Sequence, residues 1–155
     1  MAKVSLGKPV PNFALPSTAG APFELAHAAG AKLVIYFYPK DMTSGCTLES
    51  QQFRELYAAF RKARVSIVGV SRDGLDSHRK FKDKERLPFD LLADEEEKVC
   101  RLFDVIREKS LYGRKYMGIE RSTFLLDAAG VLRREWRKVK VQGHAEEVLE
   151  AAQSL

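Results

Sequence analysis

A chain of 155 residues with 45% hydrophobic and 30% charged residues has ordinary globular composition. That excludes a disordered or collagen-like polymer and allows one core burying roughly two-thirds of the unfolded surface. The net charge of +5 raises nucleic-acid binding, but the best basic patch, Arg133 to Lys140, mixes irregularly with Leu132, Trp136 and Val139 like a surface strand with one wet face, and no nucleic-acid motif accompanies it.

From the N-terminus, Phe13 and Leu15, a turn at 17–21, then Phe23 and Leu25 predict a short hairpin. Leu33 to Tyr38 is a nearly continuous apolar and aromatic run, as expected of a central parallel strand covered on both faces. Pro39 stops it. Thr43 or Ser44 can cap a helix on which Phe53, Leu56, Tyr57 and Phe60 recur at helical spacing, with Glu49 read into its first turn. Val65 to Val70 is a second buried strand, which completes a βαβ unit with an expected right-handed crossover. Asp76 is the expected cap of a helix over 77–84, and Phe89 to Leu92 a short strand. Asp94 then caps a helix whose first turn holds Glu95, Glu96 and Glu97 and whose apolar stripe is Val99, Leu102, Phe103 and Ile106. Arg107 to Glu120 is polar and aromatic without a clear period. Ser122 to Asp127 and Val131 to Val139 predict an antiparallel hairpin around Ala128 to Gly130, and His144 to Ala152 a closing helix. This order describes an α/β protein, a thioredoxin-like sandwich with a mixed central sheet and an N-terminal β-hairpin. No repeat, linker or like-charge block divides it, so residues 1–155 are expected to form a single domain.

Two cysteines speak for thiol chemistry or burial and against a disulfide framework. Met1 to Pro9 contains no apolar leader and no segment approaches the length of a membrane span, so the cytoplasm is the expected location, with no membrane partner. Cys46 is delivered from the end of the buried strand to the start of a helix. A thiol there meets free backbone N–H groups and the positive end of the helix dipole, and both favour thiolate over thiol. Cys46 is therefore a candidate nucleophile, against the alternative of a small buried hydrophobe. Asp41 and Glu49 are read as a loop residue and a helix-start residue, not as a carboxylate pair. His27, His78 and His144 sit on different elements with nothing at ligand spacing, so solvated or locally hydrogen-bonded histidines are expected and no metal.

The stretch Pro39-Lys-Asp-Met-Thr43-Ser-Gly-Cys46 resembles the peroxiredoxin signature of Pro, three residues, Thr or Ser, two residues and the peroxidatic Cys. Phe37 to Asp41 before it and Thr47 to Glu49 after it are similar to the bacterioferritin-comigratory-protein or peroxiredoxin Q subfamily. Pro11 to Leu15, Gly69 to Ser71, Gly118 to Asp127 and Val139 to His144 fall where that subfamily has comparable segments, so the resemblance runs the full length. It implies reduction of hydrogen peroxide or small organic hydroperoxides, without a cofactor, through a Cys46 sulfenic acid. It also implies a role for Thr43 and Arg121 as donors to the reacting oxygens and for Pro39 as a shield that shapes the pocket. A thiol reductant, whether thioredoxin, glutaredoxin or a small thiol, completes the cycle, and the state the resemblance implies is a monomer or weak dimer.

A thioredoxin-like disulfide oxidoreductase is the competing enzyme class, but it needs Cys-x-x-Cys, and Thr43 occupies the first of those positions. A non-enzymatic scaffold would leave Cys46 inert. In relatives of the subfamily that form an internal disulfide, the resolving cysteine lies five residues beyond the peroxidatic one or on the helix before the Phe89 strand; here Gln51 and Lys82 stand there. Cys100 is the remaining candidate. It is expected at the margin of its helix's apolar stripe as a partly buried structural thiol, which predicts a one-cysteine mechanism, with a two-cysteine enzyme resolved by Cys100 as the alternative.

Overall fold

In the computed structural model, which describes residues 3–155, Ala14–Leu15 (β1) pairs antiparallel with Phe23–Glu24 (β2), and a single 3₁₀ turn follows. The first two residues of the expected domain lie outside the described residues. Lys32–Phe37 (β3) leads through a turn to the helices Ser44–Glu55 (α1) and Tyr57–Lys62 (α2), and then to Val65–Ser71 (β4). Leu75–Glu85 (α3), Asp90–Ala93 (β5) and the short Lys98–Leu102 (α4) come next. Ile106–Leu111 (β6) and Arg114–Ile119 (β7) form a separate arm; Ser122–Leu126 (β8), Leu132–Trp136 (β9) and His144–Gln153 (α5) complete the chain.

The central sheet has the order β5-β4-β3-β8-β9, with β4 parallel to β3 and β5, and β8 antiparallel to β3 and β9. This is the mixed sheet expected from the alternation of patterns. Its two faces are read directly off β3, because side chains alternate along a strand. Leu33, Ile35 and Phe37 belong to one core with Val99, Cys100, Phe103 and the β1–β2 hairpin. Val34, Tyr36 and Tyr38 belong to the other, with Cys46, Phe53, Phe60, Phe81 and α5. Tyr36 shows how tightly that second face is fitted. Its ring stacks on Phe53, with centroids 4.8 Å apart, and its hydroxyl meets Ser50 Oγ at 2.8 Å. Its neighbour in register is Gly69, where an added Cβ would lie 2.8 Å from the Tyr36 ring. Only glycine leaves that ring its place.

Several expected boundaries move. The α3 cap is Gly74, and Asp76 is the second helical residue, in the first turn, where its charge still suits the dipole. Residues 95–97 form a turn, not a first helical turn, yet Asp94 does cap α4: its carboxylate accepts from Val99 N–H at 3.3 Å and Cys100 N–H at 2.6 Å. The helix ends at Leu102, so Ile106 belongs to β6 and the expected four-residue stripe is not one helical face. The β6–β7 arm is the element without a predicted counterpart. Most of its residues are exposed on both faces, so no alternation marks it; only the Tyr112-Gly113 turn, with φ of 50° and 79°, carries a hairpin signal.

Candidate active site

Cys46 is the third residue of α1. The first helical bond runs from Thr47 N–H to Thr43 O at 2.9 Å, so the N–H groups of Ser44, Gly45 and Cys46 precede the ladder and carry the positive end of the helix. Thr43 is the N-cap residue by backbone conformation, but its hydroxyl turns back and donates to Lys40 O at 2.8 Å. The single hydroxyl hydrogen is thereby committed, and what Thr43 offers a bound molecule is acceptor lone pairs. The expected donor role of Thr43 would require that hydrogen to leave Lys40 O. Cys46 itself is 1% exposed.

Arg121 reaches this helix start because β3 and β8 run antiparallel with Phe37 opposite Ser122, which places the residue before β8 beside the exit of β3. Its Nη2 donates to Cys46 Sγ at 3.3 Å and its Nη1 to Glu49 Oε1 at 2.6 Å. The guanidinium crosses the first turn of α1 at Gly45, where an added Cβ would stand 3.2 Å from Nη2. Glu49 is not a helix-start residue. It lies in the second turn, three residues after Cys46 and on the same face, and is 1% exposed. Burial pushes its pKa up to about 7, against the lowering effect of Arg121, and among the described residues its Oε2 has no hydrogen-bond partner. Sulfur, guanidinium and carboxylate are therefore linked in one chain of contacts, buried at both ends and part-buried at the guanidinium, whose cation sits between two groups that carry negative charge when ionised. The i, i+3 spacing of Cys46 and Glu49 was the available signal for the third member.

Pro39 is half-buried where the chain leaves β3. Lys109 on β6 is a further cation near these contacts: burial first, and then Arg121, lower its pKa. Its stem crosses Gly118 of β7, where an added Cβ would be 3.2 Å from Lys109 Cδ. Asp41, read as a loop residue, is buried, and it meets His78, fully buried, at 2.7 Å. With Asp73 these two hold ligand-type atoms within 4.8 Å of one another, which corrects the expectation that no histidine has such neighbours. His144 is also buried; its Nε2 lies 2.8 Å from Thr123 Oγ1, and desolvation brings its pKa down to about 4. Of the three, only His27 lies on the surface.

Cys100 is fully buried, not marginal, and it packs in the core on the other face of the sheet from Cys46. Burial first, and the Asp94 carboxylate next, push its thiol pKa far up. The positions 51 and 82 are engaged elsewhere: Gln51 donates to Glu85 and Lys82 to Asp90.

Residues 6–135 match the model of the AhpC/TSA family. Peroxiredoxin Bcp of Xanthomonas campestris is 49% identical over 153 residues, 97% of this chain and 96% of that protein. Peroxiredoxin Bcp of Bacillus subtilis is 45% identical over 152 residues, 98% and 97% of the two chains. Among solved structures, the Xanthomonas campestris bacterioferritin comigratory protein, studied for alkyl peroxide reduction through trapped intermediate and ligand complexes, superposes with a TM-score of 0.87. It is 48% identical over 92% of this chain and 90% of that one.

Proposed function

This chain belongs to the AhpC/TSA family and is a peroxiredoxin, a thiol-dependent peroxidase, and from that premise we propose that Cys46 is its peroxide-attacking thiol, in a one-cysteine cycle. The observation that carries this reading is the 3.3 Å contact between Arg121 Nη2 and Cys46 Sγ at a helix start. A thiolate there is the nucleophile. It attacks the terminal oxygen of a hydroperoxide, so that an S–O bond forms while the O–O bond breaks, and the departing oxygen leaves as an alcohol or water after taking a proton. Arg121 and the free N–H groups at the head of α1 supply donors where negative charge moves from sulfur to oxygen, before the reaction needs them. Thr43 accepts from the hydroperoxide O–H, and Pro39 limits the approach to the sulfur. Glu49 holds the guanidinium in line.

The product is a Cys46 sulfenic acid. A thiol from outside the chain condenses with it, releasing water and leaving a mixed disulfide that a second thiol reduces. Small alkyl hydroperoxides and hydrogen peroxide are the substrate class, a protein or small thiol is the donor, and the working unit is one monomeric domain in the cytoplasm. Mass measurement after one equivalent of peroxide without reductant tests this: oxidation confined to Cys46 is expected, and unmodified Cys46 beside consumed peroxide sinks it.

A further inference from the structure

The turn that presents Cys46 is anchored by a second buried cluster centred on Asp41. Its carboxylate accepts from Tyr38 Oη–H at 2.6 Å and from Ser77 Oγ–H at 2.8 Å, and His78 Nδ1 stands 2.7 Å from Oδ2. Its backbone N–H donates to Asp73 Oδ2 at 2.9 Å, and Ser71 at the end of β4 donates to that same oxygen. His78 Nε2 lies 2.9 Å from the carbonyl oxygen of Leu92 on β5. One aspartate thus ties the turn after β3 to β4, to the first turn of α3 and to β5. The next residue, Met42, has φ of 66°, a left-handed conformation that costs a residue other than glycine on the order of 1–2 kcal/mol and persists only where its surroundings impose it.

The hydrogens of the cluster follow from the partners. A backbone carbonyl can only accept, so His78 Nε2 carries a hydrogen. Nδ1 then faces Asp41 Oδ2 at 2.7 Å and, further off, Tyr38 Oη at 3.4 Å; the carboxyl group already accepts two hydroxyl hydrogens, so one more hydrogen lies between Nδ1 and Oδ2. We propose that Asp41 and His78 form a buried carboxylate–imidazolium pair that serves as the positioning element of the peroxidatic turn, setting the geometry in which Cys46 meets peroxide. Each group of the cluster satisfies another, so the close set Asp41, Asp73 and His78 needs no cation. Removing one member leaves the other charge buried and uncompensated, which is the costly way to break such a pair.

The inference rests on Cys46 being the peroxide-attacking thiol, and peptide mapping of the oxidised parent checks that separately. Nitrogen-15 NMR of the parent near neutral pH should show both His78 ring nitrogens bearing hydrogen; one unprotonated ring nitrogen overturns the pair whatever Cys46 does. Asp41→Asn, nearly isosteric, should slow oxidation of Cys46 by hydrogen peroxide about ten-fold or more. Alkylation of Cys46 by iodoacetamide, which needs the thiolate but not the donor geometry, should stay within about two-fold of the parent. The ratio of these two rates is the readout that mere destabilisation does not move. Ser77→Ala, which deletes one donor from a half-buried position, should lower the ratio in the same direction by a smaller factor, and it carries the test if Asp41→Asn does not fold. Parent-like ratios in the folded variants, or equal slowing of both reactions, overturn the positioning role.

Discussion

The two cysteines of this chain are almost equally buried, 1% and 0% exposed, and sit on opposite faces of one sheet in opposite electrostatic settings. Cys46 has the head of a helix and a guanidinium at 3.3 Å; Cys100 has burial and the Asp94 carboxylate, which accepts its backbone N–H at 2.6 Å. Depth therefore does not distinguish the two thiols. The sign of the nearest charge does, because the thiolate is the reacting species and a neighbouring anion opposes its formation.

The strongest test of that contrast is to remove the favoured thiol and leave the other. Cys46→Ser should abolish peroxide consumption with dithiothreitol while the melting temperature stays near that of the parent, and any substantial turnover through Cys100 would erase the distinction. The next largest effect concerns the cation. Arg121→Ala removes one donor, worth on the order of 3 kcal/mol or roughly a hundred-fold in rate, and stopped-flow oxidation at the parent rate would remove Arg121 from the site. Thr43→Val should slow oxidation by less than Arg121→Ala, and Thr43→Ser, which keeps the hydroxyl, should restore most of the rate.

Glu49 extends the comparison to pH. Its ordinary pKa of 4.5 rises to about 7 on folding, so between those values the native state holds a proton that the unfolded state has lost. Stability contributed through Glu49 therefore falls as pH rises from about 4.5 to 7. His144 acts in the other direction. Its value drops from 6.5 to about 4, so the unfolded state holds the extra proton and stability rises with pH across that window. The two slopes oppose each other, and a single substitution separates them. Glu49→Gln should gain roughly 2–3 kcal/mol relative to the parent between pH 4 and 8, measured by urea denaturation, and parallel stability curves would show that Glu49 is not held in a raised state.

How much of this was legible in the chain depends on whether a pattern is local. The β3 run, the helix start after Thr43 and the strand pair β8–β9 are written in contiguous residues, and each forms close to its expected place. The Cys46 placement was legible for the same reason. The partners of Arg121 were not, because its contact with Cys46 spans 75 positions and follows from β3–β8 register, which no spacing announces. Asp41 and His78 escaped similarly: polar residues on a turn and a helix read as wet until the fold stacks α3 against the turn. The β6–β7 arm failed in another way, since a hairpin exposed on both faces has no apolar alternation to read.

The smallest expected effect is the most informative about the cycle. Cys100 packs with Val99 and Phe103 on the face of the sheet away from Cys46. A disulfide requires Cα atoms within roughly 7 Å, and here the central sheet stands between the two cores that hold the cysteines. Bridging the two demands that α1 or α4 leave its place. The high thiol pKa set by burial and Asp94 also disfavours the Cys100 thiolate where it is packed. Cys100→Ser should therefore turn over peroxide with dithiothreitol at close to the parent rate. Its cost falls on stability, about 1–3 kcal/mol for a hydroxyl placed in an apolar core, with Cys100→Ala as the companion that adds no polar group. Peptide mapping of the peroxide-treated parent should show no Cys46–Cys100 link. A near-stoichiometric link in monomeric protein would mean that the sheet does not keep the two thiols apart, and the one-cysteine cycle would give way to one resolved within the chain.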